Sequence, residues 1–529
     1  MKDTNPNVSP DNTKNLATTG SAKTDVVVFY SFLTNPESVL TSEECIKALI
    51  RIWDQEEGSN GSILKCKDDK VENVHTFALA SFLAKTTGIV YVPNEKTFWV
   101  KDCIRGLWLR LDEDDLATRL LNVLITVVKE VCNKNLAFIA KQSLAKEVLC
   151  RLKHFAAQPG FFAPPRDAYI LHCRNCFVVV DAKNGTINEH PLSDSNIHSR
   201  HQLNVDYVPD AECPRFKHEL LSPIITEDET RVLFEYMGQV FLGYNISQKV
   251  LIFSGAAGGG KSTIVNIMEM ILGRENVAEL RTNALHGWYE TSRYIGKSLL
   301  AGKDVPADFM RHKGASKLKA LTGNDMISTE MKHSNDVSTF SGTFNVIITS
   351  NCNQPIQIQD DRDAWERRVL SIKCKKPKEG IKPIRDFDKE LVETEGSGIF
   401  NEALKGLVRI IKAGGTIAAS DEQRKEIADL LDESEGLTVF LKDMVYKGET
   451  KKDNLTSWEL FEAYKQYCIG RGWKPKTITI VRKELVDAMA ELFDAPRRTD
   501  VTRDGTNHRG YWGVRLKNAQ ENEAQDNRA

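Results

Sequence analysis

The segment that most constrains this chain is Lys249–Gly273, KVLIFSGAAGGGKSTIVNIMEMILG. Its Gly255–Ser262 stretch fits the spacing G-x-x-x-x-G-K-S/T. Val250, Leu251, Ile252 and Phe253 precede it as an apolar run rich in strand formers. Ile264, Val265, Ile267, Met268, Ile271 and Leu272 follow it as one face of a helix. A glycine-rich loop between a buried strand and a helix start is the context that a phosphate-binding loop requires. The glycines let backbone N–H groups turn toward phosphate oxygens, and the helix N-terminus adds partial positive charge. Gly255, Gly258, Gly259, Gly260, Lys261, Ser262 and Thr263 are therefore the candidate nucleotide-binding residues. Lys261 would reach the β and γ phosphates, and Ser262 would offer its hydroxyl to a metal ion. ATP and Mg²⁺ are the expected cofactors.

The next 115 or so residues indicate what the energy is used for. Ser298–Asp304 (SLLAGKD) reads as a short apolar strand that ends in a carboxylate. Asp304 is the candidate for organising Mg²⁺ and orienting water, with Asp308 as a second carboxylate nearby. Phe344–Asn351 (FNVIITSN) reads as a buried strand that finishes on an amide, the form of a group that holds the attacking water. Arg367 and Arg368 stand just before another strand; paired arginines there are often surface charge, and in a ring ATPase this is where a guanidinium reaches the γ-phosphate of a neighbouring copy.

The order of these segments resembles the superfamily 3 helicases within the AAA+ ATPases. It is most similar to the phage and plasmid primase–helicase family, which includes a poxvirus-type nucleoside triphosphatase. Lys317–His333 (KLKALTGNDMISTEMKH) resembles that family's Lys followed by Thr-Gly-Gly-Asp, with Asn324 in place of the second glycine. The family's acid after the second strand is usually Glu, and Asp304 takes its place, which leaves open which carboxylate is the base. Upstream, an Asn-Gly turn and YVPDAECPRF resemble the family's Tyr-x-Pro-x-Ala-x-Cys-Pro-x-Phe. Downstream, SWELFEAYKQYCIGRGWKPKT resembles its winged-helix-like module.

The resemblance covers residues 75–517. It implies an α/β fold: a three-layer AAA+ P-loop core, a mixed α+β N-terminal domain and a C-terminal winged-helix-like domain. It also implies a hexameric, ATP-driven DNA helicase or translocase that pulls single-stranded DNA through a central pore. Lys332 and His333 would lie at the tip of a hairpin gripping the strand, where six copies make a ring of cations. Ser262 and Asp304 would hold the nucleotide's Mg²⁺. Expected partners are single-stranded and forked duplex DNA and further copies of this chain, with room for a separate primase or polymerase chain. About 75 residues precede the resemblance, too few for a primase domain in this chain. The alternative reading is a nucleotide-switched DNA-binding or loader ATPase without processive unwinding.

Composition sets limits on these readings. The chain has 529 residues, 71 Lys+Arg and 73 Asp+Glu, for a net charge of −2. That balance argues against coating nucleic acid with the whole surface, but not against a local basic channel. Residues 451–517 hold 14 Lys+Arg against 9 Asp+Glu, with Trp458, Tyr464, Trp473 and Tyr511 interleaved and read mainly as core. No apolar run approaches a membrane span. The 11 dispersed cysteines suit buried free thiols in a reducing cytosol, and the resemblance implies the cytosol of a bacterial, archaeal or viral host. His172 and the Cys173–Cys176 pair lack a second cysteine pair at zinc spacing and read as strand.

The expected organisation is a disordered lead over 1–25 and a helical and β collar over 26–245. The motor core takes 246–376 and a helical extension 377–435, with 377–383 as linker. A small domain over 436–517 and a disordered tail over 518–529 complete it. Within the collar, 26–56 reads as an apolar run and a helix, Gly88–Val100 as two strands around a Pro-Asn turn, and Asp112–Asp115 as a helix start.

Overall fold

The computed structural model describes residues 63–517, apart from 68–69, 103, 133–140, 164, 256, 286, 288, 307–308, 310–315, 331–336, 352–361, 377–383, 435, 449, 451–452 and 474. The lead, the 26–56 segment, the 377–383 linker, the tail, Asp308, Lys332 and His333 lie outside the described residues. The chain divides into two compact units, residues 1–209 and 210–529.

In the first unit, β1 (Leu64–Lys67) and β2 (Lys70–Val74) form a hairpin, followed by α1 (Thr76–Thr87). β3 (Val90–Val92), β4 (Thr97–Asp102) and β5 (Leu107–Leu111) make an antiparallel sheet, and the Pro93–Glu95 turn joins the first two. α2 (Glu113–Cys132) begins where the acidic run predicts. Asp112 Oδ1 accepts the N–H groups of Asp114 and Asp115, both at 3.0 Å, and so caps the helix. α3 (Gln142–Phe155) packs with α1 and α2 around Leu79, Leu83, Leu120, Leu124, Val148 and Leu152.

A second antiparallel sheet holds β6 (Ala168–His172), β7 (Phe177–Asp181) and β8 (Ile187–His190). Cys173 and Cys176 sit in the turn between β6 and β7. Burial pushes both thiols up, Cys176 to about 12, so both stay protonated. Burial likewise lowers His172 to about 4. Cys213, Cys374 and Cys468 are buried free thiols too, whereas Cys150 is exposed.

The second unit is built on a five-stranded parallel sheet. Its strands are β9 (Val250–Gly255), β10 (Val277–Glu279), β11 (Leu299–Gly302), β14 (Asn345–Thr349) and β15 (Val369–Cys374). They lie in the order β10-β11-β14-β9-β15, which is 5-1-4-3-2 when read from β15 and counted from β9 as first. All five lie parallel. Near-continuous apolar strands such as VLIF and NVII follow from burial on both faces.

One face packs Val250, Ile252, Leu300, Val346 and Ile348 against three helices. These are α6 (Lys317–Thr322), α7 (Arg362–Arg368) and α9 (Asp421–Ser434). The other face carries α5 (Lys261–Leu272), which packs on α4 (Glu227–Leu242) and α8 (Phe387–Lys412). α4 starts at a capping box, with Thr226 and Glu229 each satisfying the other's backbone N–H. α4 and α8 approach closely because Gly406 leaves no side chain, and a Cβ there would lie 2.2 Å from the Phe234 carbonyl oxygen. An antiparallel hairpin, β12 (Met326–Glu330) and β13 (Val337–Ser341), precedes β14.

The C-terminal segment runs α10 (Gly436–Met444), β16 (Val445–Lys447), β17 (Asn454–Thr456), α11 (Ser457–Gly470), α12 (Ile478–Phe493), β18 (Arg498–Arg503), β19 (Thr506–Trp512) and β20 (Val514–Leu516). β17, β19 and β18 form a sheet in that order, and β16 pairs with β20. Leu437, Phe440, Leu460, Tyr464, Val481, Leu485, Met489 and Tyr511 form its core. Tyr464 and Tyr511 are thus core as read, but Trp458 is 55% exposed on α11.

Candidate functional site

The loop after β9 is shaped by its neighbours. Gly255 has φ +119°, and a Cβ there would lie 2.1 Å from the Cys374 carbonyl oxygen on β15. Gly258 and Gly260 also take positive φ, +80° and +72°. Gly260 is the N-cap of α5 and backs onto Leu220 and Ile224, so a bare backbone is presented at the helix start. Lys261 is buried, and its Nζ donates to the Gly255 carbonyl at 2.8 Å. Ser262 is exposed and Thr263 half-buried beside it. The arrangement offers backbone N–H groups, a helix N-terminus and one ammonium to an anion with several oxygens.

Gly255→Ala is expected to destabilise the unit by about 2–4 kcal/mol, from strain at positive φ plus the clash with Cys374. Gly258→Ala meets no atom within 4 Å and should show the strain alone, about 1 kcal/mol. Thermal melts of the two variants compare the terms, and equal losses would mean the Cys374 contact does not limit the site.

Parallel register brings other candidates to the same edge. Thr349 pairs with Phe253, and Ile348 with Gly302, so β9, β14 and β11 end level with one another. Gly255, Asn351 and Asp304 each stand two residues beyond one of those paired positions. All three lie at the carboxyl ends of adjacent strands, where an open parallel sheet holds its ligand. Asp304 and Asn351 are both exposed. Asp304 is not the last residue of its strand as read. β11 stops at Gly302, and Asp304 sits in a turn with φ +51°. Ser350 ties the edge together, donating N–H to the Phe253 carbonyl at 2.9 Å and Oγ–H to the Val305 carbonyl at 3.0 Å.

Arg367 and Arg368 are not brought to that edge. They end α7, immediately before Val369, which pairs with Val250 at the opposite end of β9. The six-residue strand separates them from the loop by about 16 Å, beyond the reach of an arginine. The two arginines also differ from each other. Arg367 is exposed, whereas Arg368 is half-buried, donates Nη1–H to the Ala364 carbonyl at 3.3 Å and packs on Gly323. Sequence reading missed Lys249, which stands beside Arg367. Burial lowers its amine to about 8, and the positive charge of Arg367 adds to the effect. A lysine before a strand carries no sequence signal of this.

The Asn324 departure has a local explanation. Asn324 takes φ +64°, the left-handed region in which glycine is favoured and Asn is tolerated. Its N–H donates to the Gly342 carbonyl at 2.9 Å and seats the start of the β12–β13 hairpin.

Residues 253–368 match a family described as a family of unknown function, DUF5906. That stretch includes the Gly255–Thr263 loop, Asp304, Asn351 and both arginines. No curated protein matches the chain. Similar solved structures include the A form apo structure of the NrS-1 C-terminal region, at 14% identity and a TM-score of 0.44, covering 84% of this chain and 100% of that one. A further apo structure of the NrS-1 C-terminal region has 14% identity and a TM-score of 0.45, covering 83% and 99%. Among the described residues no helix is long and apolar enough to cross a membrane.

Proposed function

We propose that this chain is an ATP hydrolase of the superfamily 3 AAA+ type, acting as a ring-forming DNA helicase or translocase in replication of a phage, plasmid or integrated element. The observation that carries the reading is the split of the candidate residues across the sheet. Gly255–Thr263, Asp304 and Asn351 share the carboxyl edge, and Arg367 is exposed at the other end. A site divided in this way is complete only when a second copy brings its Arg367 to the first copy's loop. The 5-1-4-3-2 strand order and the hairpin before β14 are in keeping with an AAA+ core that carries its DNA grip on that hairpin.

In this reading Lys261 and the loop N–H groups hold the phosphates, and Ser262 and Asp304 bind the nucleotide's Mg²⁺. Asn351 orients the attacking water, and Arg367 from the neighbour stabilises the charge that develops on the γ-phosphate. Lys332 and His333 would track one DNA strand. The C-terminal segment, with two strand-flanked helices and the β18–β19 hairpin, fits a winged-helix-like module.

Strand displacement on forked DNA carrying a 3′ or a 5′ tail, with and without ATP, tests the proposal. ATP-dependent displacement is the expected result, and the preferred tail gives the direction. Hydrolysis without displacement from either fork would favour the nucleotide-switched loader. Lys332→Ala is expected to abolish displacement, and unwinding that survives the change would remove Lys332 from the grip.

A further inference from the structure

Asp304 stands in a turn after β11, with the left-handed φ that Asp tolerates better than most side chains. Two bonds tie the turn to β14: Asp304 N–H donates to Thr349 Oγ1 at 3.0 Å, and Val305 N–H to the Thr349 carbonyl at 2.9 Å. These fix the turn against the strand that bears Asn351. They do not fix it against α5, whose first turn holds Lys261 and Ser262.

The residue before Asp304 supplies that link. Lys303 Nζ donates to Asn266 Oδ1 and to Glu269 Oε2, each at 2.8 Å. Asn266 and Glu269 are three residues apart on α5 and so share a face of the helix. Asn266 in turn donates Nδ2–H to Asp388 Oδ2 at 2.8 Å, in the first turn of α8. The Asn266 amide is therefore held from both sides, its oxygen toward Lys303 and its nitrogen toward Asp388.

We infer that Lys303 is a positioning residue that sets the separation of Asp304 from the Ser262 end of α5, with Asn266 extending the tether to α8. The inference rests on the proposed Mg²⁺–nucleotide site. Lys303 points along α5 and acts through Asp304. Its side chain is 36% exposed and that of Glu269 13%. The pair is only partly open to water, so it contributes to stability as well as to geometry, and the test has to separate the two.

The test compares ATP hydrolysis by the full chain with Lys303→Met and Lys303→Arg, each titrated with Mg²⁺. Small displacements of a reacting group cost large factors, so Lys303→Met should lose about ten-fold in kcat. KM for ATP should stay within about two-fold, while the Mg²⁺ needed for half-maximal activity rises by about three-fold or more. The melting temperature should fall by no more than about 4 °C, the share that comes from leaving Glu269 without its cation. Lys303→Arg keeps the charge and can donate to both acceptors, and it should restore at least about half of kcat. Unchanged kcat and Mg²⁺ dependence in Lys303→Met would overturn the inference. So would a loss of kcat that tracks a loss of melting temperature and is not restored by arginine. A parent chain that does not hydrolyse ATP would overturn the ATPase reading and the inference together, whereas an active parent with an unaffected Lys303→Met overturns the inference alone.

Discussion

Lys261→Ala is expected to lower ATP hydrolysis by at least about 100-fold, the scale of losing one preorganised charge in a water-poor site. Lys261 is the first residue of α5 and is buried against the loop, its ammonium on the Gly255 carbonyl. In the proposed site, a phosphate chain entering the loop would take over that ammonium, exchanging a neutral carbonyl for an anion. Alanine leaves the glycine loop and helix start in place but removes the cation that meets the β and γ oxygens. The fold should survive, because alanine is the best helix former for the vacated position. Steady-state hydrolysis, nucleotide binding and a thermal melt measured on one preparation separate loss of chemistry from loss of fold. Turnover that persists in a folded Lys261→Ala protein would take the loop out of the mechanism.

Arg367→Ala is expected to bind ATP normally and hydrolyse it about 1,000-fold more slowly, the cost of losing an arginine finger. The distinguishing measurement is a mixture. Arg367→Ala subunits keep an intact loop, and Lys261→Ala subunits keep an intact Arg367. A site formed between them, with the loop of the first and the arginine of the second, is whole. Mixing the two inactive proteins should therefore recover hydrolysis, and a mixture that stays inactive would sink the shared site. Arg368→Ala serves as the contrast. That guanidinium turns inward onto the Ala364 carbonyl and Gly323, so its loss should lower the melting temperature before it touches turnover. The Arg367 charge beside Lys249 adds a second readout. Removing it should raise the Lys249 amine only slightly, because burial, the larger cause, still holds it below the usual lysine range.

Much of the fold was legible in the chain, for identifiable reasons. The strand–loop–helix at 250–272 carries period, glycines and cap in one continuous stretch, so no distant contact is needed to read it. The strands on either side of the Pro93–Glu95 turn and the capped start of α2 are likewise local, set by turn chemistry and by Asp112. The 5-1-4-3-2 order was not legible, because nothing local states which strand lies beside which. Nor were the end of β11 at Gly302, the two-residue step to Asp304 or the exposure of Trp458.

The sequence by itself determined the chemistry available at each position: a glycine loop with a lysine and a hydroxyl, a carboxylate, an amide and two arginines. Those are properties of residues and short spacings. Only the tertiary structure decided which of them meet. Parallel register levels the ends of β9, β14 and β11, so Asp304 and Asn351 arrive beside a loop that lies about 50 and 100 residues earlier in the chain. The same register sends Arg367 to the far end of the sheet, because α7 enters β15 at its amino end. The packing of α5 on the sheet likewise brings Asn266 and Glu269 within reach of Lys303. Distances between strands are fixed by backbone hydrogen bonding across the sheet, and a linear chain carries no direct record of those.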